Sequence, residues 1–282
     1  MRDSVGDGCE TPYMDDDGLL AEQRAYYQAR APEYDEWWQR RGRFDQGRES
    51  AEEWDRDVAQ MAAALETFGA TGDVLELAGG TGWWTAHLAR TAGHLTVIDS
   101  SPESLELNRK RVGRPDVDYL VADLFTWQPL RTYDVVFFSF WLSHVPRPRF
   151  PGFWSLVRSC LAPRGRVFLI DNRIEIPGPN VIRRDSDLEL RRVHDGREFQ
   201  VIEVFYEPEE LQSLLGDEGW TASLDGTRWF IFGEASPSDA RQPARSEAAP
   251  TPAETDHRRC FPSAASFVAE HGSLTAEPDA PA

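Results

Sequence analysis

Apolar residues in the first four-fifths of the chain fall into short runs separated by longer amphipathic stretches. Runs rich in Val, Ile, Leu and Phe predict strands over residues 73–78, 94–99, 117–122, 133–139 and 165–171. Stretches with helical spacing lie between them over 82–91, 101–112 and 149–161, and two more precede the first strand, over 19–41 and 50–68. Pro32 is expected to split the first of these into two shorter helices. Strands alternating with helices predict parallel βαβ units in a sheet covered on both faces. The continuous apolar run around Phe137 and Phe138 suits a strand buried on both faces. Beyond residue 171 the pattern changes. A polar segment to about 189 reads as irregular, strand-like stretches follow around 190–194 and 198–206, and a helix over 208–216 and one last strand over 220–232 close the domain. No internal repeat is found.

Composition limits the folded part. Residues 1–17 are rich in Asp, Gly and Ser, and residues 234–282 in Ala, Pro, Ser and Glu. Neither stretch carries enough apolar surface to offset the entropy of ordering it. The expected organisation is a disordered leader over 1–17, a domain over 18–233 and a disordered tail over 234–282. A formal charge of −18 argues against a nucleic-acid or anionic-membrane partner, either of which needs a basic face. A small-molecule substrate and a monomer or homodimer are expected instead. No apolar run approaches the roughly 18–20 residues of a membrane span, and no secretory signal is recognisable, so a cytoplasmic protein is expected. Cys9, Cys160 and Cys260 are too scattered for a metal site or a disulfide framework. No metal is expected.

The chemistry concentrates at Val74-Leu75-Glu76-Leu77-Ala78-Gly79-Gly80-Thr81-Gly82-Trp83-Trp84, a strand running into a glycine-rich turn and a helix. A second strand then ends in Asp99, followed by Ser100. This order builds a nucleotide site: small residues admit the ligand to the backbone, and the distal carboxylate accepts from both ribose hydroxyls. Asp99 could alternatively cap the helix that follows. Glu76 at the entry would repel a pyrophosphate, so a ligand with a cationic head fits better. The third strand ends at Asp123-Leu124-Phe125 and the fourth at Ser139-Phe140-Trp141. Ligands of open α/β sheets lie beyond such strand ends.

The turn resembles motif I of class I S-adenosylmethionine-dependent methyltransferases, with Ala78 where the first glycine is usual. Further resemblance to the phosphonate O-methyltransferase of dehydrophos biosynthesis and its small-molecule relatives is carried by several motifs. These are Tyr26-Tyr27-x-Ala29-Arg30-Ala31-x-Glu33-Tyr34-Asp35, Trp141-Leu142-x-His144-Val145-Pro146, Asp195-Gly196-Arg197-x-Phe199 and Val204-Phe205-x-x-Pro208-x-Glu210-Leu211. The resemblance implies an α/β fold, a Rossmann-like seven-stranded methyltransferase sheet with an N-terminal helical lid and a small inserted β ribbon. It also implies S-adenosyl-L-methionine as cofactor, S-adenosyl-L-homocysteine as product, and O-methylation of an anionic group (phosphonate or carboxylate) or a hydroxyl. By resemblance Asp123 takes the adenine amino group and the Leu124 N–H a ring nitrogen. The expected cofactor residues are Tyr27, Glu76, Ala78, Gly80, Gly82, Trp84, Asp99, Ser100, Asp123, Leu124, Phe125 and Ser139. One departure stands out: the relatives' pattern has a lysine where this chain has Glu203.

His144, just past the fourth strand, is the candidate catalytic residue, a base for a hydroxyl acceptor or an orienting donor for an anionic one; a loop-packing histidine is the alternative. The aromatic stripe with Tyr27, Tyr34 and Trp38 is read either as core or as a water-excluding lid. Tyr34, Trp38, Trp141, Arg173, Arg192 and Arg197 are the expected substrate residues, since arginine forks match oxyanions. Arg192 and Arg197 cluster with Arg191 on the ribbon, and these arginines could equally be surface residues paired with Glu189, Asp195 and Glu198. N- or C-methylation and a repurposed, non-methylating cofactor-binding protein are competing readings, distinguished by turnover with amine or carbon acceptors and by cofactor binding without turnover. Methylation of nucleic-acid bases fits poorly, because Ser139-Phe140-Trp141-Leu142 replaces the Asn/Asp-Pro-Pro-Tyr/Phe run common there.

Overall fold

The computed structural model describes residues 16–173 and 179–238. The chain opens with α1 (Asp16–Arg30), a 3-10 turn at Ala31–Glu33, α2 (Tyr34–Trp38) and α3 (Arg48–Phe68). Pro32 lies in that turn, and α1 and α2 are separate helices as its missing N–H predicts. There follow β1 (Asp73–Leu77), α4 (Trp83–Leu88), β2 (His94–Asp99), α5 (Pro102–Val112), β3 (Val117–Val121), β4 (Tyr133–Ser139), α6 (Phe150–Cys160) and β5 (Leu161–Asn172). Next are β6 (Val181–Asp185), β7 (Leu188–Arg192), β8 (Glu198–Ile202), α7 (Pro208–Asp217), β9 (Trp220–Gly226) and β10 (Phe230–Pro237).

Seven strands form one sheet in the order β3-β2-β1-β4-β5-β10-β9, and β6-β7-β8 form a separate antiparallel sheet. Strands β1 to β5 pair in parallel, while β10 is antiparallel to both β5 and β9. Period-two alternation sends Leu75, Leu77, Val136 and Phe138 into a core roofed by α6 and α7. Val74, Val97, Val135 and Phe137 enter the opposite core under α3, α4 and α5. Both faces are dry, which is why these strands carry no polar stripe.

Four expectations need correction. The stretch expected as one last strand is the hairpin β9–β10, because the Thr227 hydroxyl accepts from the Phe230 N–H at 3.1 Å and turns the chain. That hairpin runs to Pro237, beyond the expected boundary at 233. The segment to 189, expected as irregular, contains β6, an edge strand whose Arg183 and Arg184 hide any apolar alternation. Helix α1 begins at Asp16, inside the expected leader; residues 1–15 and 239–282 lie outside the described residues.

Helix α1 lies across the carboxyl ends of the strands and borders β8. The Glu22 and Gln23 side chains accept from the backbone N–H groups of Gln200 (2.8 Å) and Ile202 (3.0 Å), covering the ribbon's open edge. The Gln23 amide also donates to the His144 carbonyl at 3.1 Å, joining lid, ribbon and the loop after β4.

A cofactor-shaped cleft and an adjoining acceptor cavity

The glycine turn is shaped by what surrounds it. A Cβ on Gly79 would stand 2.3 Å from a Val97 methyl, and one on Gly82 2.8 Å from the Asn108 side chain, so neither position admits a larger residue without displacement. Asn108 is fully buried and donates to the Gly79 carbonyl (3.1 Å) and the Thr85 hydroxyl (2.7 Å), tying α5 to the turn. Ala78 sits at φ 54°, a left-handed conformation that explains why glycine is usual there.

The turn opens on a cleft of about 800 Å³. Ala78, Gly80, Asp99, Ser100, Asp123, Leu124, Phe125 and Ser139 line it, and Tyr27 of α1 covers it. Asp99 does not cap α5; Ser101 does, its hydroxyl accepting from the Ser104 N–H at 3.1 Å. The Asp99 carboxylate instead accepts from Gly80 N–H (2.9 Å) and Ser101 N–H (2.8 Å), and burial raises its pKa above the ordinary carboxylate value despite those bonds. Asp123 accepts from the Phe125 N–H at 3.0 Å and pairs with Arg24 of α1 at 2.9 Å. The two acids thus face one cleft whose wall mixes apolar residues (Leu20, Ala122, Leu124, Phe125, Phe140, Trp141) with polar ones such as Ser100 and Ser139, a setting that suits a purine nucleoside.

Glu76, Gly82 and Trp84 do not reach the cleft. Trp84 is buried against Trp38 and Phe137 in the core under α4. Gly82 serves the close packing of α5. Glu76 lies beneath the turn, 1% exposed, with neither carboxyl oxygen hydrogen-bonded among the described residues. Burial pushes its pKa up to about 8, so it is mostly protonated at neutral pH.

A second cavity of about 500 Å³ adjoins the first. Tyr27, Tyr34, Phe140 and His144 line both, forming the partition between them. Phe140 holds φ 52°, a strained conformation of the kind stored at functional sites. His144 is 4% exposed. Its Nδ1 lies 2.7 Å from the Ile202 carbonyl, an acceptor only, so Nδ1 carries the ring proton. Nε2 is therefore the lone-pair nitrogen and accepts from the Tyr27 hydroxyl at 2.5 Å. Burial lowers the His144 pKa, and Glu203, 3.3 Å from Nδ1, opposes that shift.

The arginines at the cavity are not those expected. Arg173 pairs with Glu207 (2.7 Å), Arg192 with Glu198 (3.0 Å) and Arg197 with Asp195 (2.8 Å), all outside it. Trp38 packs against Trp54 in the helical core, and Trp141 lines the larger cleft beside Phe125. In their place stand Arg30 and Arg191, with Glu189, Glu203, Asn172 and Asn180. Arg191 donates to Glu189 and Glu203, each at 2.7 Å, and Asn172 donates to Glu203 at 3.1 Å. Arg191 belongs to the ribbon's arginine cluster with Arg192 and Arg197, and alternation along β7 turns it inward while Arg192 faces out.

No helix among the described residues is long and apolar enough to cross a membrane, and no group of three or more His, Cys, Asp or Glu there could hold a metal ion.

Residues 74–165 match the Methyltransferase domain family. A demethylmenaquinone methyltransferase from Clavibacter sepedonicus is 35% identical over 123 residues, 43% of this chain. The match spans about half (48%) of that relative's length. The solved DhpI–SAH complex is 36% identical, with a TM-score of 0.65 over 80% of this chain and 100% of that one. A DhpI–SAM–HEP complex matches equally well, with the same identity and TM-score. Burkholderia thailandensis 1,6-didemethyltoxoflavin-N1-methyltransferase shares the fold at 18% identity, TM-score 0.53 over 82% of this chain and 93% of that one. With the whole of DhpI covered at that identity, and both acids and the glycine turn facing one cleft, the chain belongs to the S-adenosylmethionine-dependent methyltransferases.

Proposed function

We propose that this chain methylates a hydroxyl oxygen of a small molecule held in the 500 Å³ cavity, with His144 as the base. The observation that supports this most is the placing of His144 Nε2 at the partition between the two cavities, where its lone pair accepts from the Tyr27 hydroxyl and an acceptor's hydroxyl would take that hydroxyl's place. A neutral imidazole presenting a lone pair accepts a proton from a hydroxyl and would repel an anionic oxygen.

S-adenosylmethionine, when bound, supplies an electrophilic sulfonium methyl group, and the chain aligns and protects the reactants. Asp99 would hold the ribose hydroxyls. Asp123 and the Leu124 N–H would hold the adenine edge, which requires Arg24 to leave its place on Asp123. Leu124, Phe125 and Trp141 would enclose the purine. Tyr27 and the rest of α1 exclude water. With the Tyr27 hydroxyl displaced from Nε2 by the acceptor's hydroxyl, His144 takes up the acceptor's proton there, and Glu203 beside Nδ1 stabilises the imidazolium that results. A tritiated-methyl transfer screen against small hydroxylated compounds tests the proposal; turnover confined to amine or carbon acceptors overturns it.

Two outcomes follow for the parts of the site. Asp99→Ala weakens S-adenosylhomocysteine binding by about 1.5–3 kcal/mol, the range for a lost hydrogen bond to a charged group. Isothermal titration measures this, and an unchanged affinity removes Asp99 from the ribose site. The second concerns pH. His144 works unprotonated and its pKa lies below 6.5, so kcat/KM rises with pH through that lower value and is level by neutrality. An acid limb centred at about 7 or above implies another base.

A further inference from the structure

Arg30 ends α1 inside the acceptor cavity and differs from the other cations around it. It is 5% exposed, and its guanidinium lies 5.6, 5.2 and 5.3 Å from the ring centres of Tyr26, Tyr34 and Trp37. Among the described residues it has no carboxylate partner, and its Nη2, shut away from solvent, makes no hydrogen bond. Arg191 is clamped by Glu189 and Glu203, and Arg184 pairs with Glu189 at 2.9 Å and reaches the Glu203 carbonyl at 3.3 Å. Those two arginines and two glutamates cancel in formal charge. Counting Arg184, which reaches Glu189 from outside the cavity lining, Arg30 is the one cation of the three left without a carboxylate against it among the described residues, and it sits among three aromatic rings.

An unpaired buried charge costs free energy that a ligand of opposite sign offsets. Arg191 cannot serve, since its Nε and one Nη are already committed to carboxylates. We infer that Arg30 binds a singly charged oxyanion carried by the acceptor molecule, apart from the hydroxyl presented to His144. This rests on the acceptor occupying this cavity, as proposed above. The substrate class is thus a hydroxylated monoanion, a hydroxy acid being the simplest. The glutamate at position 203 fits that count: it supplies the second negative charge that neutralises Arg184 and Arg191, where a lysine would leave a more positive cavity suited to a dianion.

The test is calorimetric titration of the full chain, saturated with S-adenosylhomocysteine, with glycolate, with 1,2-ethanediol and with methylphosphonate at a pH where it is a dianion. Glycolate is expected to bind tightest. Arg30→Met should weaken glycolate by about tenfold or more, Arg30→Lys should recover part of that, and the diol should be unaffected by either. S-adenosylhomocysteine affinity, measured on the same variants, should stay at the parent's value and reports that the fold is intact. The inference is overturned if Arg30→Met binds glycolate as the parent does, if the parent binds none of the three, or if it prefers the diol or the dianion. Failure of the parent to bind S-adenosylhomocysteine would instead defeat the methyltransferase reading, a result separable from loss of the anion alone.

Discussion

Replacing Arg191 with methionine is expected to destabilise the protein by about 3–5 kcal/mol, the cost of removing one partner from a buried ionic cluster. Arg191 is 7% exposed, and Glu189 and Glu203 are each 1% exposed, so water cannot solvate the carboxylates left behind. Burial alone would raise the Glu203 pKa; Arg191 and then His144 outweigh it and hold Glu203 below its ordinary value. The variant removes the stronger of those two influences. Arg184 and Asn172 remain as partners, which keeps the effect within the stated range. The sign with pH follows from the depressed Glu203 pKa. Its stabilisation is present above the unfolded value of about 4.5 and is lost as pH falls through the folded value, so the gap between parent and variant narrows in acid. Urea unfolding at neutral pH measures the difference. Adding Glu189→Gln and Glu203→Gln should recover much of the loss, since neutral amides no longer demand a cation. A cost under about 1 kcal/mol would mean that the cluster is hydrated in solution.

His144→Ala should lower kcat by about 10²–10⁴, the range for a positioned general base, with S-adenosylhomocysteine affinity nearly unchanged. The separation of the two readouts carries the test. His144 is also a structural link, because its Nδ1 proton joins the loop after β4 to the end of β8. If that link were its whole role, loosening it would disturb the lid over both cavities, and turnover and cofactor affinity would fall together. A drop in turnover alone, with the acid limb of the pH profile abolished, identifies the base. Glu203→Gln provides an independent check. It keeps a group of the same shape beside Nδ1 but removes the charge that favours imidazolium, so turnover should fall by less than in His144→Ala.

The Rossmann-like sheet was legible because its strands are buried on both faces. Runs such as Val135 to Phe138 and Leu95 to Ile98 have no polar residue facing solvent, and their ends mark where a ligand lies. The ends of β2 and β3 were legible from the order of elements: Asp99 ends a buried strand, Asp123 follows the exposed edge strand β3, and the two line one cleft. The last hairpin reads as one strand, since the turn from Gly226 to Trp229 is closed by the Thr227 N–H on the Phe230 carbonyl (2.8 Å) and the Phe230 N–H on the Thr227 hydroxyl (3.1 Å), contacts that leave no strong turn signature in the sequence.

The ribbon defeated pattern reading for a physical reason. In β7, Leu188 and Leu190 are only partly buried, whereas Glu189 and Arg191 are buried. Alternation normally sends the apolar residues inward, but this strand's inner face borders a polar cavity, so its charges point in. The arginines expected at the substrate, Arg173, Arg192 and Arg197, are those that find carboxylates outside that cavity.

What the amino-acid order determined alone was the five parallel strands, the glycine turn and the acids at the strand ends, because these depend on neighbours in sequence and on burial within single strands. Which arginines face the acceptor, which nitrogen of His144 offers a lone pair, and that Glu76 lies beneath the turn were decided only by tertiary structure. Each depends on side chains meeting across distant segments, α1, the loop after β4 and the ribbon, and on charge balance in a space that none of them forms by itself.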